Sequence, residues 1–267
     1  MNSVTGVAHL TALELDSVSL VKAARRAGFG AVGLRVNPVA RGALAYPDRT
    51  GTHAHRELRT VLRDEGVIVR DVEFIPIVAE IDVPSYAAMF DSASELGAKS
   101  VTVSGDDPDF GRLCAHYAAL CDLGAQYGLR IDIEFMRWRE VGNLQQACAV
   151  VAQADRSNGA ILVDALHLAR SGSQPDAIAA LPPHWIRAMQ LCDAPALAPV
   201  GDAATIAEAR EGRLPPGTGS LPLRALLLHA PPECEVSVEM PYPALPADRR
   251  LALAFQSTQT LMTEKVG

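Results

Sequence analysis

No run of Lys or Arg, no long apolar stretch and no cysteine pair at metal-site spacing occurs in these 267 residues. Without a basic patch, and with a net charge of −7, the chain is not expected to bind nucleic acid. No uncharged apolar run approaches the roughly 18–20 residues a membrane span needs, so no membrane helix is expected. The opening residues, MNSVTGVAHLTALELD, carry neither a charged n-region nor an apolar h-region, and no secretory signal is expected. The five cysteines, Cys114, Cys121, Cys148, Cys192 and Cys234, are scattered, odd in number and set among apolar neighbours. They read as reduced, mostly buried thiols in a cytoplasmic protein. The G-x-S-x-G elbow, the P-loop and H-E-x-x-H are also missing, and the first strand–helix junction lacks G-x-G-x-x-G. Those absences speak against serine hydrolysis, P-loop nucleotide chemistry, zincin proteolysis and dinucleotide binding.

What the chain does have is a hydrophobic fraction of 49% and one repeated unit: amphipathic helix, Gly, short apolar strand, polar loop. Helices are expected over Ser17–Ala27, His53–Asp64, Ser85–Leu96, Phe110–Tyr127 and Asn143–Asp155, with Asp16 and Asn143 as start signals and Gly28, Gly66, Gly97 and Gly128 as stops. The apolar segments VAHLTAL, AVGLRV, VIVRDVEFIPI, SVTVSG, LRIDIEF, AILVDALH, IRAMQLC and CEVSVEM give about eight strands. Most follow one another at the spacing of a βαβ unit. Eight such units favour a single-domain (β/α)8 TIM barrel over residues 1–267, with all strand C-termini at one mouth where chemistry resides.

At that mouth the sequence breaks a rule. Glu134, Asp164, Gln190 and Glu239 sit at the ends of four apolar strands, where an unpaired carboxylate costs several kcal/mol. Convergence on one divalent metal ion explains all four, and an all-oxygen set suits Mg2+ or Mn2+, with Co2+ and Zn2+ left open. The rival explanation pairs one or two of them with an Arg inside the barrel. His167, three residues beyond Asp164, is a general-base or substrate-contact candidate, and a surface position at the next helix is its alternative. Asp193 is read as a partner orienting a ligand or as a loop cap. Arg35, Glu73 and His9 lie at strand ends and either face the mouth or form barrel salt bridges. The stretch 194–220 is long for a βα loop; its Arg210, Arg213 and the turn Pro215–Gly219 could fold over the mouth or remain exposed.

The strings IEFMRW, LVDALHLARSG, MQLCDAP, PPGTGSLPL and VEMP together resemble the sugar phosphate isomerase/epimerase superfamily, the xylose isomerase-like TIM barrels. The resemblance spans nearly the whole chain and is strongest from Leu129 to Pro241. It implies metal ligands at Glu134, Asp164, Gln190 and Glu239, a substrate-binding His at His167, and a substrate-anion contact at Arg210 or Arg213. In the ketose 3-epimerases of this superfamily both Glu ligands also move protons, which would make Glu134 and Glu239 catalytic. One departure is Gln190, where the family usually has His. A Glu–Asp–Gln–Glu set is similar to that of bacterial 3-dehydroshikimate dehydratases.

The resemblance therefore implies a metal-dependent isomerase or epimerase that takes a proton from beside a carbonyl of a polyhydroxy keto compound. Catalytic roles fall to Glu134, His167 and Glu239, and substrate contacts to Arg35, Glu73, Arg210, Arg213 and Asp193. A dehydratase of the 3-dehydroshikimate type is the alternative, and a non-catalytic metal- or sugar-binding barrel is a second one. The expected partner is a small molecule, and a homo-oligomer is left open.

Overall fold

The computed structural model describes residues 5–263. The outermost residues of the single-domain span 1–267 therefore lie outside the described ones. Eight parallel strands close into a barrel in chain order. They are β1 (Gly6–Val7), β2 (Ala31–Arg35), β3 (Ile68–Ile77), β4 (Ser100–Gly105), β5 (Arg130–Glu134), β6 (Gly159–Asp164), β7 (Ile186–Leu191) and β8 (Glu235–Val238). Closure comes from β8 on β1, with Gly6 opposite Ser237 and Val7 opposite Val238. Around the strands lie α1 (Ser17–Ala27), α2 (His53–Glu65), α3 (Ala87–Glu95), α4 (Phe110–Gln126), α5 (Leu144–Ala154), α6 (Ala165–Arg170), α7 (Asp202–Glu211), α8 (Leu223–His229) and α9 (Ala247–Thr263). The expected (β/α)8 barrel is the observed fold.

Local chemistry accounts for the boundaries. The Asp16 carboxylate accepts the Ser19 N–H and starts α1, and the Asn143 side chain does the same for α5 through Gln146. Helix α1 stops at Gly28, whose φ of 110° suits glycine, and where a Cβ would also meet the Phe255 ring at 2.5 Å.

Strand parity decides what enters the barrel. Ile131 on β5 packs against Gly124 of α4 and so faces the helix layer. Asp132 and Glu134, on the opposite parity, face inward. Low in the barrel, Asp132 meets Arg130 at 2.6 Å and Glu235 meets Arg70 at 2.8 Å, so these four interior charges are paired.

Strand six ends at Asp164, as expected, and the Asp164 side chain caps α6 at once. Two expectations shift. The first strand is two residues long, because His9–Ala12 forms a 3-10 turn held by Thr11 donating to the Val238 carbonyl. The stretch 194–220 is not wholly irregular: it contains α7. No helix among the described residues is long and apolar enough to cross a membrane. All five cysteines are free, and four are buried.

Candidate active site at the barrel mouth

The barrel brings the four strand-end residues together. Asp164 and Gln190 are register partners on β6 and β7, and Glu134 ends β5. Glu239 follows β8, its N–H donating to the Leu191 carbonyl at 2.9 Å. All four side chains are buried, none more than 5% exposed. The Asp164 carboxylate also accepts the His167 N–H at 2.9 Å, so the residue that starts α6 turns the His167 ring into the barrel. His167 is 3% exposed, not a surface residue. Its Nε2 lies 3.6 Å from Glu134, and Trp138 meets its ring edge-on at 5.1 Å. Donor atoms of Glu134, Asp164 and His167 all fall within 4.8 Å of one another.

Arg213 completes this cluster from an unexpected direction. After β7 the chain loops out through α7 and returns, pairing Asp193 with Leu214 through two backbone hydrogen bonds of 2.8 Å. The Asp193 carboxylate accepts from the N–H groups of Ala194, Gly217 and Leu221. Asp193 is thus occupied in shaping the loop and does not line the cavity. The clamp delivers Arg213, 1% exposed, between two of the strand-end carboxylates. Its guanidinium lies 2.5 Å from Asp164 and 2.8 Å from Glu239, and its Nε donates to the Ala209 carbonyl. The explanation by an internal Arg therefore holds for Asp164 and Glu239. Arg213, considered as a contact for a substrate anion, is already committed to protein carboxylates. Arg210, one turn earlier on α7, is exposed and borders the cavity.

Arg35 and Glu73 also line the cavity, and they pair with each other at 3.1 Å. His9 does not line the cavity with them. Its Nδ1 accepts the Arg35 N–H, so its Nε2 carries the proton and donates to the Leu15 carbonyl. Burial lowers its proton affinity further. Among the residues absent from the sequence-derived set that line the same cavity of about 290 Å³ are Phe74, Trp138 and Arg139. The signal for two of them was present in IEFMRWR, an aromatic–basic run directly after β5.

Protonation follows from burial and from which carboxylate Arg213 reaches. Burial, and then the charges of Glu239 and Asp164, push Glu134 well above the ordinary carboxylate value. Burial raises Glu239 to about 7, opposed by Arg213. Burial would raise Asp164 too, but Arg213 and His167 outweigh it and hold the carboxyl low. Burial depresses His167 to about 4, so its imidazole is neutral.

The residues fit a hard divalent cation. The buried carbonyl oxygen Oε1 of Gln190 has no hydrogen-bond partner among the described residues. An unmet neutral acceptor beside three buried carboxylates is a donor set that Mg2+ or Mn2+ can use.

A family model described as xylose isomerase-like TIM barrel matches residues 21–259. A 3-dehydroshikimate dehydratase of Pseudomonas aeruginosa is 33% identical over 117 residues, which cover 41% of this chain and 18% of that protein. The chain thus aligns with less than a fifth of that relative's length. Among solved structures, a xylose isomerase-like TIM barrel/4-hydroxyphenylpyruvate dioxygenase fusion protein superposes with a TM-score of 0.79 at 22% identity, over 96% of this chain and 42% of that one. The IOLI protein with a bound zinc atom has a TM-score of 0.79 at 18% identity, over 98% of both chains. More distant in sequence are the probable 3-DHS dehydratase AsbF of Bacillus anthracis and the D-psicose 3-epimerase of Clostridium cellulolyticum H10. They show TM-scores of 0.73 and 0.72 at 15% and 13% identity, over 96% of this chain and 98% and 97% of theirs. The match over most of its length, together with the closed barrel, makes this chain a member of the xylose isomerase-like TIM barrel family.

Proposed function

We propose that this barrel takes a proton from the carbon beside the carbonyl of a small polyhydroxy keto compound, with one divalent cation at its mouth. The observation that carries the reading is the convergence of Glu134, Asp164 and a neutral His167, whose donor atoms lie within 4.8 Å of one another, with Gln190, its side-chain oxygen unmet, as the register partner of Asp164. Glu134, Asp164, Gln190 and Glu239 would hold the cation, for which Mg2+ or Mn2+ is the natural fit to oxygen donors. When bound, the cation supplies positive charge where the substrate's carbonyl oxygen becomes negative.

The chain's own residues do the rest. His167 Nε2 faces an Arg213 donor at 3.5 Å, which marks it as the acceptor side of the ring, able to receive a proton. Glu134, 3.6 Å away, can pass a proton to the imidazole or take one from it. Returning the proton to the neighbouring carbon isomerises the substrate, and returning it to the opposite face epimerises it. If Glu134 instead protonates a departing β-hydroxyl, the products are water and an enone.

Dehydration is the second reading, and two observations favour it. Gln190 stands where an isomerase-like set would have His, and the aligned curated relative is a 3-dehydroshikimate dehydratase. Two assays separate the outcomes. Incubation with Mg2+ and 3-dehydroshikimate, followed by ultraviolet absorbance, reads an aromatic product. Chromatography of ketoses after incubation reads epimers and isomers. Silence in both would replace the enzyme reading with a binding barrel.

A further inference from the structure

We infer that Thr11 is a positioning residue for Glu239: it stands in for the missing upper half of β1 and fixes the backbone from which that carboxylate enters the mouth. The inference rests on the proposed cation site and adds a residue that the site depends on although it does not line the cavity.

Strand β8 reaches the mouth between two unequal neighbours. On one side β7 runs as far as Leu191, whose carbonyl accepts the Glu239 N–H at 2.9 Å. On the other side β1 has stopped at Val7. One more rung follows, from the Ala8 N–H to the Val238 carbonyl at 2.9 Å. In a parallel ladder the residue that donates this rung accepts the next one, so the Ala8 carbonyl would take the Met240 N–H. Here the Ala8 carbonyl instead accepts the Thr11 N–H, at 3.1 Å, and the chain turns away as a 3-10 helix. Met240 is fully buried, and an orphaned N–H there would be costly. The Thr11 hydroxyl accepts it at 3.0 Å. The same oxygen donates its own proton to the Val238 carbonyl at 3.3 Å. A hydroxyl can do both at once, having one donor and two acceptor sites. Thr11 thus holds both peptide groups that flank the Glu239 Cα, the one from Val238 and the one to Met240.

Thr11 is itself anchored. It is fully buried, and its carbonyl accepts from Arg250 Nη1 of α9 at 2.8 Å. Arg250 is fixed in turn by Glu14 at 2.5 Å and by the Leu245 carbonyl at 3.1 Å. The outer helix layer therefore sets the turn, the turn sets the hydroxyl, and the hydroxyl sets the Glu239 backbone. Small hard cations tolerate little departure from octahedral geometry, so a displaced Glu239 carboxylate would weaken the site it helps to form.

Isothermal titration with Mn2+ alone, well below the unfolding temperature, tests the role. Thr11→Val keeps the side-chain shape and removes both hydrogen bonds. Its Mn2+ affinity should fall by about tenfold or more, the usual weight of a group that orients a metal ligand. Thr11→Ser keeps the hydroxyl and should bind as the wild type does. Thr11→Ala leaves room for a water at the Met240 N–H, so it is the milder variant and should lie between. Thr258→Val is the control. Thr258 is equally buried, and its hydroxyl bonds the Ala254 carbonyl within α9, so this change should lower the unfolding midpoint and leave Mn2+ affinity alone. Wild-type affinity in Thr11→Val, or in Thr11→Ala where only that variant folds, would overturn the positioning role and leave the cation site standing. So would a Thr11→Ser protein as weak as Thr11→Val, or an equal loss in Thr258→Val. No Mn2+ binding by the wild type would overturn the role together with the reading beneath it.

Discussion

Arg213 and Asp164 are separated by 2.5 Å, both fully buried, on segments 49 residues apart. The same guanidinium reaches Glu239. An internal arginine thus pairs with two of the four residues that would hold a cation, and among the described residues Glu134, 3.6 Å from His167, makes no ion pair to an arginine. That asymmetry explains why Asp164 is held low while Glu134 is pushed up.

Removing the arginine should expose the strain. Arg213→Met leaves two buried carboxylates unpaired, and stability should fall by ~3–5 kcal/mol, the usual effect of breaking a buried pair from one side. Mg2+ should restore more stability to the variant than it adds to the wild type, because it takes over the missing positive charge. Urea unfolding with and without Mg2+ checks both. A variant with the wild-type midpoint would show that Arg213 is not a structural counter-cation.

The barrel and the inward strand-end residues were legible because burial leaves a mark in sequence. An acid at the end of LRIDIEF or AILVDALH stands out against its apolar neighbours, and parity then fixes its direction. The role of Arg213 was not legible. Arg210 and Arg213 share one loop and one residue type, and only the Asp193–Leu214 pairing sends Arg213 inward and leaves Arg210 outside. Helix α7 was obscured by its setting between Gly201 and Gly212, although its Ala- and Glu-rich interior carries helix propensity. Arg139 and Trp138 lie past the end of β5, where no period predicts direction.

The loop clamp has its own weak point. A Cβ on Gly219 would sit 2.4 Å from the Asp193 carboxylate and 2.5 Å from the Ala194 carbonyl. Gly219→Ala should therefore displace the loop that carries Arg213, with a loss of ~1–3 kcal/mol as for other overpacked sites. Turnover should fall by a larger factor than fold stability alone explains. Thermal unfolding and activity measured well below the unfolding midpoint decide it. Unchanged turnover in a folded Gly219→Ala protein would contradict the link between clamp and site.

A separate pH test concerns Asp71, on the same face of β3 as Glu73 and with one carboxylate oxygen lacking a partner. Burial, and then the charges of Glu73 and Asp132, push its carboxyl well above the ordinary value. The folded state holds this proton more tightly than the unfolded chain does. Its contribution is complete below the unfolded pKa, roughly 3.9, and is lost as pH rises through the folded one. Asp71→Asn, neutral and of the same shape, should be more stable than wild type near neutral pH by ~1–3 kcal/mol. The gap should narrow toward pH ~4. Urea unfolding across that range checks the sign, and a less stable variant at neutral pH would reverse it.

His167 should matter to turnover and not to cation binding. Its depressed value, about 4, keeps the imidazole neutral and available as a base. His167→Ala is expected to lower kcat by ~10²–10⁴, the weight of a positioned acid–base group. Affinity for Mn2+, measured by titration, should change little. Near-normal turnover would return His167 to a packing role against Trp138.

Hydrogen exchange from solvent into substrate tests the central claim most directly. The protein is incubated in D2O with Mg2+ or Mn2+ and a panel of ketoses, inososes and 3-dehydroshikimate, and the recovered compounds are analysed by mass spectrometry. Abstraction beside a carbonyl predicts metal-dependent incorporation of one deuterium into at least one substrate or its product, lost in Glu134→Gln and in His167→Ala. No incorporation into any carbonyl compound by the metal-loaded wild type, or incorporation that survives both substitutions, would contradict it.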